Sequence, residues 1–494
     1  MALDRSSFTA FDTVRHAWKT LGLPPPALTS LSLTGEGLGL PSSFKIGHLA
    51  QASIGLSGLT AALINAQRTG KPVPQVTVPL QHAVIEFKSE RFYLLDKKSY
   101  SAWGPVGGLH ACSDGYVRAH DSFPHHRNGL VKLLLGYERS PPPTRAQVGE
   151  AISPWRSIDL ETAAADNGFV IAALRSYKQW DVTPQAQAVS DQPITITKIL
   201  SQKAPIGLPR HIGTTTTTTT TGREDKNKCL RGVRVVDMTR VIAGPVAGKT
   251  LAAHGAEVLW VTSPNLPDLP ELDRDLARGK RTVQLDVRNP EDLEALMNLL
   301  EDADVLLQSY RPGSLGGLGI TEEAILRRRK GRPIVIANLS CFGTAGPWKH
   351  RRGFDSIVQA CSGMNVSEAE HHGKGEAAKP LPCQALDHAS GYFLASGIMA
   401  SLYRAWTEGG SYRVDVSLAG TMKYLRSLGQ FPGDSGFETS DYEKSEDVPE
   451  EYFETRPSGF GELRAIKHSV RIDGAEVSWD IMPQPLGSHK PKWQ

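Results

Sequence analysis

Along its second half the chain alternates short apolar runs with amphipathic stretches, which predicts strands and helices in turn. Leu230 to Asp237 (LRGVRVVD) is β-branched and ends on a polar residue, the turn Thr239 to Pro245 (TRVIAGP) follows, and Val246 to His254 has helical spacing. Gly255 stands where a helix C′ residue would, and Ala256 to Val261 (AEVLWV) is the next apolar run. Such a unit implies two parallel strands joined by a right-handed crossover. Arg281 to Asp286 alternates in polarity, Asn289 and Pro290 suit the N-cap and N1 positions of a helix, and Leu293, Leu296, Met297 and Leu300 share one face of it. Ala303 to Leu307 and Pro333 to Leu339 bring the strands to at least five. The predicted class is α/β, a doubly wound, Rossmann-like parallel sheet.

The pattern also repeats. Ser57 to Leu63 (SGLTAAL) matches Ser396 to Leu402 (SGIMASL) at an offset of 339 (396 − 57), and Val76 to Leu80 (VTVPL) matches Val414 to Leu418 (VDVSL). Two related helix and strand segments therefore stand at opposite ends of the chain. Between them, Thr214 to Thr221 is a run of threonine with nothing to bury, which reads as a low-complexity linker. Gly433 to Glu451 crowds acidic residues and serine without periodicity and predicts a mobile loop. The expected division is residues 1–210, a linker at 211–228, a Rossmann-like segment at 229–430, an acidic loop at 431–455 and a tail at 456–494 packing on the large domain.

Charge and composition narrow the function. A net charge of +3 on 55 basic and 52 acidic residues provides no field that would favour nucleic acid or a membrane surface. Five scattered cysteines, with neither a CxxC pair nor histidine at zinc spacing, predict no metal site and a reducing compartment. The first residues lack an apolar signal core, so cytosolic residence is expected, with organelle import left open. At 494 residues, two or three domains are expected.

Asp387 precedes small and apolar positions stepping by three and four (Gly391, Leu394, Ile398, Leu402, Ala405), so it opens a helix, and on spacing alone an N-cap is the simpler reading. Leu230 to Val261, Arg278-Gly-Lys-Arg281, Ala303 to Gly319 (ADVLLQSYRPGSLGGLG), Ser340 to Pro347 (SCFGTAGP), Gly353 to Gly363 (GFDSIVQACSG) and Asp387 to Gly391 (DHASG) occur in that order. Together these blocks resemble the family III CoA-transferases, the formyl-CoA and carnitine-CoA transferase (CaiB/BaiF) group. Arg456 to Leu463 and Pro485 to Gly487 are similar to the family's C-terminal segment. The resemblance implies a large Rossmann-like domain with a smaller α+β domain. It also implies an aspartyl nucleophile at Asp387 that attacks an acyl-CoA thioester, with CoA as co-substrate, a carboxylic acid as acceptor, and no resident cofactor. A helix N-terminus lowers carboxylate basicity, which predicts a free anion at Asp387.

CoA carries phosphates, and the resemblance assigns its channel to Arg240, Ile242, Ala243, Arg278, Lys280, Arg281, Tyr310, Arg311, Ser340, Phe342 and Gly343. Each cation taken alone would be an ordinary surface charge. The first half reads as the later part of a family member: Ser113 to Val117 (SDGYV) resembles the start of the small domain, and Gly104 to Gly108 (GPVGG) is the candidate for the family's mobile glycine loop. At the offset of 339 the counterpart of Asp387 is His48, so one active site per chain is expected, as a homodimer or an internal pseudo-dimer. Two other functions compete. The related α-methylacyl-CoA racemases carry a histidine where Phe354 stands, which disfavours proton exchange here; a CoA-binding pseudoenzyme is disfavoured by retention of Asp387.

Overall fold

The computed structural model describes residues 3–136, 141–201 and 227–494. The threonine run and nearly all of the expected linker lie outside the described residues. The first half includes strand β1 (Leu31–Thr34), helix α1 (Ile46–Thr69), strand β2 (Val76–Pro79) and helix α2 (Pro124–Leu135). Strand β3 (Thr195–Leu200) ends this half. The second half runs through β4 (Arg234–Met238), α3 (Ala243–Ala253), β5 (Glu257–Thr262), β6 (Lys280–Gln284), α4 (Pro290–Asp302), β7 (Val305–Gln308) and β8 (Val335–Ser340). Helix α5 (Asp355–Cys361), helix α6 (Ala385–Glu408), strand β9 (Ser411–Ser417), helix α7 (Leu418–Ser427) and strand β10 (Arg471–Ile472) are the later elements that frame the site and the core.

The large sheet has the order β6-β5-β4-β7-β8-β9-β3. Its first six strands are parallel and β3 closes the edge antiparallel to β9. From β4 the chain runs outward to β5 and β6, then returns to place β7 on the other side. The strand order therefore reverses between β4 and β7, where a doubly wound sheet leaves a crevice at its carboxyl ends. The short loops after β4 and β7, Thr239–Ile242 and Ser309–Pro312, open into that crevice.

The repeat has a structural counterpart. Helices α1 and α6 are each 24 residues long, and both ends are 339 apart (385 − 46 and 408 − 69). β1 pairs parallel with β2, and β10 pairs antiparallel with β2's other edge, as β8 and β3 do with β9. Val76 stands between Leu31 and Ile472, and Val414 between Ala337 and Ile196. The two helices pack against each other at the centre of the main core. Helix α1 has the length and apolarity to cross a membrane, but its apolar stretch is buried within the protein and its last turn, from Ala66, reaches the surface.

A smaller antiparallel sheet, Gly108–Cys112, Gly115–Ala119 and Ile171–Ala173, carries α2 and its own apolar cluster around Val117, Leu130 and Leu160. The stretch at 431–455 differs from the expected free loop. Its Asp441 pairs with the buried Lys88, Glu450 with Arg464 at 2.7 Å, and Ser445 donates to the Phe92 carbonyl at 2.6 Å. Val448 is buried beside Ile85, Phe92 and Ile466. Two of the acidic residues that broke the periodicity, Asp441 and Glu450, have partners elsewhere in the fold. Beyond it, the tail crosses the large sheet, where the Trp493 indole donates to the Leu299 carbonyl at 3.1 Å.

Candidate active site

Asp387 is the third residue of α6, and Gln384 at the N-cap makes no side-chain cap. The cap comes from outside: Asp355 Oδ2 accepts the N–H groups of Leu386 at 2.8 Å and Asp387 at 3.0 Å, and Gln359 donates to the other Asp355 oxygen. The backbone donors that would have favoured an Asp387 anion thus serve Asp355. Burial, with the charges of Asp355 and Glu90 nearby, holds the Asp387 carboxyl well above its usual range, which reverses the expectation of an anion guaranteed by the helix end. Asp355, fully buried, is itself pushed up to about 6 by desolvation, against the hydrogen bonds it accepts. Next along α6, His388 pairs with Glu90 at 2.8 Å and stacks on Phe87, two residues of the first half.

Two glycines permit this packing. A Cβ on Gly391 would lie 2.6 Å from Val246 Cβ and 2.7 Å from the Ala243 carbonyl, so Gly391 lets α6 approach α3. A Cβ on Gly353 would stand 2.4 Å from Cys341 Sγ. Cys341 lines the cavity with Asp387, and burial pushes its thiol up, so it stays protonated.

The cavity measures about 450 Å³ and fills the crevice between β4 and β7. Among the residues expected at the site, Asp387, Arg240, Ile242, Ala243, Tyr310, Arg311 and Ser340 line it. Arg240 occupies a strained turn. Val241 has φ +73, an unusual value for a β-branched residue, and the turn is held by Arg240 N–H donating to Ser309 Oγ and by Trp260 donating to the Thr239 carbonyl. One Arg240 nitrogen, Nη2, is buried without a hydrogen-bond partner.

Five expected residues are not in the lining. Lys280 is buried against Asp237 at 2.9 Å and donates to the Pro245 carbonyl, and Arg278 is fully buried between Asp275 at 2.6 Å and the Ile466 carbonyl, over the Trp479 ring. Arg281 pairs with Glu257 and the Lys492 carbonyl. Their charges serve the packing of sheet and tail. Phe342 packs against Trp348 while its carbonyl takes the Gln185 amide, and Gly343 turns the chain at φ +90. In the cationic wall stand Arg288, Lys349, Arg351 and Arg352 instead. The KHRR run directly before the Gly353 block, just beyond the end of β8, was the available signal for three of them.

The first half contributes Phe123, His125 and His126 to the wall. His120 stacks on Phe354 at 3.8 Å, and Trp103 packs on His120. Gly104 and Gly107 wrap the buried Asp121, which accepts the Val106 N–H at 2.7 Å, so the glycine loop reaches the cavity only through this stack. His48, the counterpart of Asp387, is bonded to Thr13 Oγ1 at 2.7 Å and is outside the cavity lining. Burial lowers it to about 4.

The profile of CoA-transferase family III matches residues 230–446. This part of the chain belongs to CoA-transferase family III. An acyl-CoA transferase of Gibberella moniliformis is 31% identical over 380 residues, covering 69% of this chain and 65% of that protein. An acetyl-coenzyme A transferase of Hypoxylon pulicicidum is 38% identical over 205 residues, 41% of this chain and 34% of that protein. A crystal structure of a hypothetical protein from Mycobacterium tuberculosis shares 30% identity over 42% of this chain and 56% of that one, with a TM-score of 0.35. The chain spans less than two thirds of the length of these family III relatives.

Proposed function

We propose that the chain moves CoA from an acyl-CoA thioester to a carboxylate, with Asp387 as nucleophile. The observation that carries this reading is a buried carboxyl, free of any capping duty, that opens into a cavity walled by arginines. In the first step an Asp387 oxygen adds to the thioester carbonyl and the C–S bond breaks, giving a mixed anhydride and CoA thiolate. The thiolate then attacks the aspartyl carbonyl, releasing the donor's acid and leaving an aspartyl thioester. An acceptor carboxylate attacks this thioester, CoA thiolate leaves again, and its attack on the acceptor's carbonyl yields the new acyl-CoA and restores Asp387. No net proton or electron is exchanged.

The physical chemistry supports these roles. Desolvation makes an ionised carboxylate a stronger nucleophile, while the cationic wall favours ligands with phosphates. The start of α3 has no side-chain cap and Ala243 stands in the wall, so its backbone N–H groups are candidates to meet the tetrahedral oxyanion. The test is chemical trapping. Hydroxylamine or borohydride added with acyl-CoA should label Asp387 and inactivate the enzyme, and Asp387→Asn should lower kcat by at least ~10³. An active Asn variant, or transfer without any adduct at this residue, refutes the assignment; a racemase would give no adduct.

A further inference from the structure

Helix α2 starts at the cavity. Pro124 occupies its first turn, no side chain caps it, and the residues there, Phe123, His125 and His126, all line the wall. His126 is 4% exposed, and its Nδ1 has no hydrogen-bond partner. Its ring meets Phe123 edge-on at 5.6 Å and Phe354 at 5.8 Å, contacts that fix its plane without using its nitrogens. Arg240, whose guanidinium lies over Phe123 at 5.2 Å, brings the second orphan nitrogen to the same wall. Phe354 joins this corner to the nucleophile, because the next residue, Asp355, accepts the Asp387 N–H. Pro124 has no N–H and the His126 N–H donates to the Phe123 carbonyl at 3.1 Å, which leaves the His125 N–H at the helix start. Buried donors without acceptors are costly, and two of them beside that N–H mark a place for an anion.

We propose that the His125 backbone N–H at the start of α2, the His126 imidazole and the Arg240 guanidinium together bind the acceptor carboxylate beside Asp387. The inference rests on the transferase reading and names what the first half of the chain adds to it. An acceptor approaching the aspartyl thioester carries a negative charge toward Asp355 and Glu90, which are buried behind the wall and already act on Asp387. Donors from α2 offset that repulsion and aim one oxygen at the reacting carbon. Burial, with His125, His120, Arg352 and Arg240 around it, lowers His126 to about 3, so it enters as a neutral ring and donates from Nδ1 in one tautomer.

The test uses the full chain carrying Asp387→Asn, so that binding is read apart from the anhydride chemistry. Formate, acetate, succinate and benzoate are titrated calorimetrically, with and without CoA. At least one should bind, and His126→Phe, which keeps the ring packing, should weaken it tenfold or more while CoA affinity stays within about twofold. His126→Gln, which keeps a donor, should fall between. The proposal is overturned if none of the four binds, if His126→Phe binds carboxylate as well as its parent, or if that variant weakens CoA alone, since the donors would then meet a CoA phosphate.

Discussion

Replacing Asp355 by Asn isolates what its charge does to Asp387. Native Asp355 adds a negative charge beside a buried carboxyl and caps α6 through two backbone N–H groups. Two unit charges roughly 5 Å apart at an effective dielectric of 20 repel by about 3 kcal/mol, so removing one should lower the Asp387 pKa by up to about 2 units. The acidic limb of the first half-reaction, followed as CoA thiolate release against pH, should therefore move to lower pH in Asp355→Asn. The variant still offers one oxygen to the helix but loses charge-assisted bonds, at a cost of about 1 to 3 kcal/mol of stability. Stability should also change its pH dependence. Burial pushes native Asp355 up to about 6, whereas the unfolded residue titrates near the ordinary 3.8, so the native state holds the extra proton in that window and unfolding free energy falls as pH rises through it. The variant should lose the share of that slope that Asp355 contributes, leaving the share of Asp387. A limb that stays in place, or moves upward, refutes the coupling of the two carboxyls.

Three further outcomes are expected. Arg311→Ala with Lys349→Ala, two cations of the cavity wall, should weaken CoA binding by about 2 to 4 kcal/mol in a direct titration, through the loss of two charge-assisted contacts. Lys280→Ala should instead cost about 3 to 5 kcal/mol in denaturant unfolding, because it leaves the Asp237 carboxylate buried and uncompensated. His48→Ala should leave turnover within about threefold, a change of roughly 0.7 kcal/mol or less in steady-state kinetics, since His48 bonds Thr13 and is outside the cavity lining.

The sheet was legible where burial made the sequence uniform. β4, β5, β7 and β8 lie within or close to the predicted runs because parallel strands covered on both faces read as continuous apolar stretches. β3 escaped notice: Thr195–Leu200 is an edge strand with no fully buried residue, so no periodicity marks it. At the site, residues at strand ends were found, but residue type does not distinguish a cation facing a cavity from one facing a carboxylate. Arg278, Lys280 and Arg281 looked like phosphate ligands and are internal ion pairs, while Arg351 and Arg352 carry the same chemistry into the wall. His126 and Glu90 reach the site from residues 261 and 297 positions before Asp387 (387 − 126 and 387 − 90), a proximity only the tertiary fold creates.

The pairing of α1 with α6 sets a timetable for synthesis. The counterpart of each α1 residue lies 339 positions later in the chain, so the buried face of α1 waits for that much more polypeptide. At translation rates of about 5 to 20 residues per second the wait is roughly 17 to 68 seconds. Over that interval the ribosome carries a 24-residue helix, apolar on every side, whose partner has not yet been made. While nascent, that helix offers a chaperone an apolar surface that α6 covers once the chain is finished.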